Sequence, residues 1–420
     1  MIGTGVFTSL GFQVGVLPSG FVILSLWFIG GISALCGALC YGELAATLPR
    51  SGGEYHFLSR TIHPSVGFLG GWLSATIGFA APIALATMAL GKYAVGLGIN
   101  MPGGPEFLGL LIVALLTGVH LSGLRIGALF QNATTLLKLT LVVMLVIAGC
   151  WVGKSQPITF LPARGDTDLL LSGSFAASLV YVMYAYSGWN AATYIVGEIR
   201  DPARNVPRAL IIGTTLVAAL YLLLNMVFLW TTPVGAMRGN IEVGLIAGEY
   251  IFGATGGRIV GAFICIGLIA SISAMTWIGP RVVATMGEDL AALRWLAART
   301  QSGIPRTALL AQFLIVAFLI VTSTFEKVLV YVQFGLTLFS FLTVAGLVVL
   351  RWREPHLPRP FRTPAYPLPA VLFLAISGWM LWNIAAEKPQ ESLAGLATIA
   401  AGLVIYALSP KATSPRIASI

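Results

Sequence analysis

The sequence predicts an all-α protein that crosses a membrane many times, and three observations carry that prediction. Hydrophobic residues make up 57% of the chain and charged residues only 9%, with a mean hydropathy of +0.90. Soluble domains carry about 25% charge, so no water-soluble core would hide this much apolar surface. Charge-free stretches of about 18 residues or more recur along the whole length, each long enough to cross a hydrocarbon layer as a helix. Finally, two apolar stretches separated by nearly half the chain are interrupted by glycine-containing runs, Ile2-Gly3-Thr4-Gly5-Val6 and Tyr184-Ala185-Tyr186-Ser187-Gly188-Trp189-Asn190.

In order, a half-length helix is expected from Ile2 to Val16. Eleven full spans follow it: Ser19 to Leu48, Pro64 to Gly98, Phe107 to Leu124, Ile126 to Val152, Leu169 to Gly197, Ala209 to Thr232, Ile259 to Pro280, Thr307 to Phe325, Val328 to Leu350, Ala365 to Ala386 and Ser392 to Ser409. Pro49 to Tyr55 opens a short amphipathic helix at the membrane interface, with Phe57, Leu58 and Ile62 on its apolar side. The longest loops, near Gly153 to Asp168, Pro233 to Arg258 and Gly287 to Arg306, leave no room for an inserted soluble domain. The chain therefore reads as one transmembrane domain over residues 1–420, with helices 1–5 at about 1–152, helices 6–10 at about 169–350 and helices 11–12 at about 365–409.

Charge sets the orientation. Counting the first fragment as helix 1 puts sixteen of the 24 Lys and Arg on the side that holds Arg50, including Arg60, Arg125, Arg200, Arg281, Arg351, Lys411 and Arg416; the other side holds Lys154, Arg164, Arg238, Arg258, Lys327 and Lys388. The positive-inside rule makes the Arg50 side and the C-terminus cytoplasmic, in the cell membrane. The net charge of +9 is thus a topology signal, and no nucleic-acid partner is implied. Cys36, Cys40, Cys150 and Cys265 all fall in apolar spans, which suggests neither a disulfide framework nor a metal site. Cys36 and Cys40 share a helix face as small packing residues.

The two breaks point to a ligand. In hydrocarbon every backbone N–H and C=O must be satisfied internally, so a helix is interrupted at mid-depth where the freed groups face a cavity or a bound molecule. Freed N–H groups suit a carboxylate and freed carbonyls an ammonium. A small zwitterion such as an amino acid presents both. The competing explanation is that these glycines only let helices pack closely. The breaks sit in helices 1 and 6, five spans apart, the spacing that an inverted repeat of five helices would give, because an odd number of spans reverses orientation.

The chain resembles the amino acid–polyamine–organocation superfamily, and within it the bacterial permeases related to the L-type and cationic amino acid transporters. Five motifs carry the resemblance over nearly the whole length: Gly3-Thr4-Gly5-Val6-Phe7; Tyr41-Gly42-Glu43-Leu44 with Pro49-Arg50-Ser51-Gly52-Gly53-Glu54-Tyr55; Gly188-Trp189-Asn190 followed by Glu198, Pro202, Pro207, Arg208 and Ala209; Arg281 with Asp289 and Pro305; and Arg351-Trp352-Arg353-Glu354-Pro355 leading to Pro358-Arg359-Pro360-Phe361-Arg362-Thr363-Pro364. The resemblance implies a twelve-helix, LeuT-like 5+5 inverted repeat with helices 1 and 6 unwound around the substrate. It implies that Ile2, Gly3, Thr4 and Gly5 form the break whose amides hold the substrate carboxylate. Tyr184, Ala185, Tyr186 and Ser187 match the break whose carbonyls take the α-amino group. Tyr184 falls where an aromatic gate closes over substrate, with core packing as its other reading, and Trp189 is expected to pack behind the break.

Lys138 is the second signal. A charged side chain in mid-span costs roughly 3 kcal/mol on insertion scales, so it faces a polar interior. In the Gln131-to-Lys138 setting it resembles the helix 5 lysine of sodium-independent members, whose ammonium stands where related symporters hold sodium and bridges helix 1 to helix 8. Ser271 and Ser273 are its expected partners. Lys92 is expected only to snorkel at the outer end of helix 3. No Asp or Glu lies at mid-depth in any span; Glu43 and Glu198 are expected to form gate or loop salt bridges, and a cationic substrate side chain would find no counter-charge.

Family members carry a tail and the first half of helix 1 before the glycine break, whereas this sequence begins at Met1. The expectation is a start assigned too far downstream, the alternative a truncated product. Two function classes follow: a sodium-independent secondary transporter of neutral amino acids working by alternating access, as exchanger or uniporter, or a non-transporting membrane protein that binds an amino acid through Tyr184 to Ser187. His56, His63, His120 and His356 sit in loops or at span ends with no nucleophile–base pattern, so no enzyme, cofactor or metal is expected. The sequence leaves the oligomeric state and the proton coupling open.

Overall fold

The computed structural model describes residues 1–122, 128–152, 155–289, 291–300 and 303–409, and every regular element among them is helical. Arg125, Lys154, Lys411 and Arg416 of the charge count, the expected limits at Leu124, Ile126 and Gly153, and the side chains of Gln131 and Asp289 lie outside the described residues.

A short helix α1 (Thr4–Gln13) leads into α2 (Gly20–Thr47), which starts where the Ser19 hydroxyl accepts from the Val22 N–H at 3.3 Å. The interfacial helix is α3 (Glu54–Thr61). Its Phe57 and Leu58 are fully buried, packed into the protein core. The next span is α4 (Pro64–Leu73) and α5 (Ala80–Gly96), joined through a π turn at Ser74–Gly78. Then come α6 (Gly104–Leu121), α7 (Ala128–Val152), a single turn α8 (Asp166–Leu170) and α9 (Gly173–Tyr186). Beyond α9 a 3-10 helix, Ala191–Glu198, leads to α10 (Pro202–Thr231).

The stretch from Pro233 to Arg258 departs from the expected loop. It holds a turn of helix, α11 (Val234–Met237), and the beginning of α12 (Val243–Asp289), which folds back on itself at Gly253. Gly253 adopts φ +78°, a conformation only glycine takes readily, and Gly248 comes so near Val260 that a Cβ there would stand 3.0 Å from the Val260 Cβ. Glu242, Glu249 and Arg258 had broken the charge-free run and masked this hairpin. After a 3-10 turn at Ala291–Ala297 come α13 (Arg306–Thr322), α14 (Phe325–Arg353), α15 (Leu368–Glu387) and α16 (Pro389–Leu408).

Among the described residues nine helical segments are long and apolar enough to cross a membrane; α13, with 17 residues, and α9, which stops after 14, complete the eleven expected stretches. The ends of α1 and α9 meet in the middle of the bundle. Around them α2 packs on α10, α5 on α12 and α6 on α13, and large apolar side chains such as Trp151 and Trp382 stand exposed on the bundle's outside, as a lipid-facing surface requires.

Candidate functional site

A cavity of about 560 Å³ lies between the ends of α1 and α9, within the size range of small-ligand pockets. On one side α1 begins. Its N-cap Gly3 (φ −152°, ψ −145°) makes no side-chain cap hydrogen bond, so the first N–H groups of the helix, which have no intrahelical acceptors, are left uncapped by it. On the other side α9 ends at Tyr186. The Ser187 N–H donates to the Tyr184 carbonyl at 3.0 Å, and Gly188 at φ +85° turns the chain away, a glycine role at a helix C-terminus. The partly positive start of one helix and the partly negative end of another therefore border the same space.

Ile2, Gly3, Thr4, Gly5, Tyr184, Ala185, Ser187, Lys138 and Ser271 all line this cavity. Tyr184 is 5% exposed. The Tyr186 side chain points the other way: its hydroxyl donates to the Trp27 carbonyl at 3.2 Å and its ring lies 5.2 Å from that of Tyr221. Trp189 borders the cavity and also packs edge-on against Tyr41 at 4.7 Å and Phe373 at 6.1 Å.

Lys138 donates from Nζ to the Ser271 hydroxyl at 2.7 Å, and Ser271 donates on to the Gly267 carbonyl at 3.0 Å. The lysine stem crosses α12 at Gly267, where a Cβ would stand 3.3 Å from the Lys138 Cγ. The Ser271 Oγ is also near Gly3, 3.8 Å from where its Cβ would be, so one hydroxyl sits among α7, α12 and the start of α1. Ser273 is not a partner of Lys138. Two residues apart on a helix do not share a face, and Ser273 instead hydrogen-bonds His120 Nε2 at 3.2 Å.

The far end of α1 is packed against α9, α5 and α14. Phe12 stacks between Tyr181 (5.0 Å) and Phe325 (5.9 Å), and Ser9 donates to the Tyr181 carbonyl at 3.0 Å. Tyr93 on α5 donates to the Phe7 carbonyl at 2.9 Å and accepts from the Gly244 N–H at 3.0 Å.

Residues 1–406 match the model of the amino acid permease family. The chain belongs to that family. Among its relatives, the b(0,+)-type amino acid transporter 1 of Mus musculus is 26% identical over 417 residues, covering 97% of this chain and 84% of that protein. The large neutral amino acids transporter small subunit 2 of Homo sapiens is 28% identical over 426 residues, covering 97% of this chain and 77% of that protein. The relatives are amino acid transporters, and this permease is a multi-pass membrane protein.

Several polar groups of the permease escaped the sequence reading. Gln333, Thr337 and Ser340 on α14 line the cavity at spacings of four and three, a polar stripe that a helical-period count of the apolar span would have found. Ser74 and Gly78 reach the cavity from the π turn, which no sequence pattern announces. Glu54 lies just behind the lining, on a short helix that is not a span, where the sequence shows it only as part of a motif. Glu43 forms the salt bridges expected of it: it accepts from Arg351 Nε at 2.8 Å and the Thr363 N–H at 2.7 Å, with Arg359 Nε at 3.3 Å. Glu198 is exposed, and Lys92 borders a second hollow with Glu106 and Glu326. No group of three or more potential metal ligands occurs among the described residues.

Proposed function

We propose that this permease is a sodium-independent secondary transporter that exchanges neutral amino acids by alternating access. The observation that carries the reading is the meeting of an uncapped helix start and a helix end at one cavity, complementary to the carboxylate and ammonium of an amino acid. The amides at Gly3, Thr4 and Gly5 take the carboxylate, the carbonyls at the end of α9 take the amino group, and Tyr184 closes over the bound molecule. Lys138 supplies a fixed positive charge through Ser271 where a coupling cation would otherwise sit. Among the described residues Lys138 is the one charged side chain in the lining and no Asp or Glu lines it, so the substrate side chain is neutral. The large neutral amino acids in the printed name of a relative agree with this choice.

The same reading divides the chain into two five-helix halves, 1–152 and 169–350, with two helices added. The packing of α1 on α9, α2 on α10, α5 on α12 and α6 on α13 pairs four of the first five spans with the one five spans further on, as an inverted repeat would, while α7 packs on α10 and α12. The C-terminus is cytoplasmic by the charge bias. The test is exchange of labelled leucine, alanine or serine in proteoliposomes holding sodium or choline as sole cation. Equal exchange in both supports the reading; absent exchange, or exchange that needs sodium, overturns it.

A further inference from the structure

Glu54 opens α3, outside every span, yet it is 1% exposed. Its Oε1 accepts from the Tyr41 hydroxyl at 2.7 Å, the Ser340 hydroxyl at 2.9 Å and the Asn190 amide at 3.3 Å, and its Oε2 from the Tyr194 hydroxyl at 3.5 Å. All four are neutral donors. A carboxylate taken out of water is ordinarily paired with a cation, and Glu54 has no such partner among the described residues. Burial pushes its carboxyl above the ordinary glutamate range, against the pull of the donors.

The donors matter because of where they sit. Ser340, Asn190 and Tyr194 line the cavity, whereas Glu54 stands one side chain behind it. Asn190 and Tyr194 belong to the segment that follows the α9 break, while Tyr41 is on α2 and Ser340 on α14. Gly53 holds that segment closely as well: its N–H donates to the Thr193 carbonyl at 3.2 Å, and a Cβ there would stand 2.7 Å from the Tyr194 ring. The titratable groups facing the carboxyl are Tyr41 from α2 and Tyr194 from the 3-10 helix. From α14 it meets Ser340, Arg351 of the same helix being taken up by Glu43, and α4 carries no titratable side chain.

We propose that Glu54 is a proton-binding site, exchanging its proton with the cavity through Tyr194, and that the proton controls how firmly residues 190–194 are held. The ionised carboxylate receives charge-assisted hydrogen bonds, which are about twice as strong as neutral ones. A proton delivered from water in the cavity binds Oε2, the oxygen with the single long contact, and the neutral acid holds the same donors less tightly. The segment behind the α9 break is then free to move, and the proton returns to the cavity when the four donors close again. This rests on the reading of the cavity as a substrate site; the titration of Glu54 itself does not.

Two measurements on the full chain separate those claims. Acid-minus-alkaline infrared difference spectra should contain the C=O band of a buried protonated carboxyl, lost in Glu54→Gln. Tyr41→Phe keeps the ring packing on Trp189 and Phe57 but removes the shortest donor, and should raise the midpoint of that band by about one pH unit. In proteoliposomes, leucine exchange should vary several-fold with pH in the wild type and become pH-independent, at the acid-limb rate, in Glu54→Gln. A difference spectrum unchanged by Glu54→Gln, or a Gln variant that keeps the wild-type pH profile, overturns the proposal. Absent exchange in every protein defeats the transport reading instead, and the infrared band still decides whether Glu54 titrates.

Discussion

Gly5 of α1 touches Ala185 of α9 so closely that a Cβ on the glycine would stand 2.7 Å from the Ala185 Cβ and 2.9 Å from its backbone nitrogen. Gly5 is helical and its conformation needs no glycine; what requires one is this approach of two backbones. The close-packing explanation for the first break and the ligand explanation therefore meet in one residue, because the contact that excludes a side chain also sets the spacing of the two helix ends around the cavity.

Gly5→Val should abolish substrate binding. The obstacle is backbone, which cannot swing aside, so α1 must tilt away from α9 and the amides and carbonyls lose their common focus. Gly5→Ala should weaken binding less, since overpacking by one methyl costs roughly 1–3 kcal/mol. Isothermal calorimetry with leucine on purified protein checks both; full affinity in the valine variant would show that the helix ends do not hold the substrate.

Much of the fold was legible because hydrocarbon leaves so few choices: charge-free stretches predicted α2, α14 and the span made of α4 and α5 to within a few residues, while Arg204 and Arg208 hid the first turns of α10. The misses have physical causes. The hairpin at Gly253 was hidden by Glu242, Glu249 and Arg258, charges that the fold accommodates beside the bundle. Ser273 was grouped with Ser271 on sequence proximity, although helical geometry turns it toward His120. Glu54 was not legible as a core acid because its side chain enters the core from a short helix outside the apolar spans.

Tyr184→Ala should lower exchange while leaving folding intact. The side chain is buried yet borders the cavity beside Thr4, so truncation removes a face against the substrate more than a piece of core. An aromatic contact is worth about 0.5–1.5 kcal/mol, which corresponds to roughly a two- to tenfold loss of affinity. Unchanged exchange in proteoliposomes at matched protein density would return Tyr184 to packing alone.

Glu43→Ala should act on stability. The carboxylate is fully buried and holds together α2, α14 and the segment around Thr363 through Arg351, Arg359 and the Thr363 N–H. Removing one partner of a buried pair typically costs 3–5 kcal/mol, because the remaining charges stay desolvated without their counter-charge. A thermal-unfolding midpoint in detergent equal to that of the wild type would contradict the view that this buried ion-pair cluster stabilises the fold.

Lys138→Ala should slow exchange more than it lowers protein yield, and sodium should stimulate neither protein. Among the described residues Lys138 has the one charged side chain in the cavity lining, and it bonds the Ser271 hydroxyl at 2.7 Å where α12 runs beside Gly3. Its loss leaves that hydroxyl without its donor and empties the space across Gly267; an unsatisfied buried polar group costs about 1–3 kcal/mol. That cost falls on whichever conformational state keeps α1, α7 and α12 together, so the balance between states shifts and turnover drops. Ser271→Ala removes the same bond but keeps the charge, and should produce a smaller loss. If the charge itself substitutes for a cation, Lys138→Ala is more impaired than Ser271→Ala; if only the tether matters, the two are equally slow. Labelled-leucine exchange for wild type and both variants, with sodium or choline as sole cation, distinguishes these outcomes, and an undiminished Lys138→Ala would remove the lysine from the mechanism.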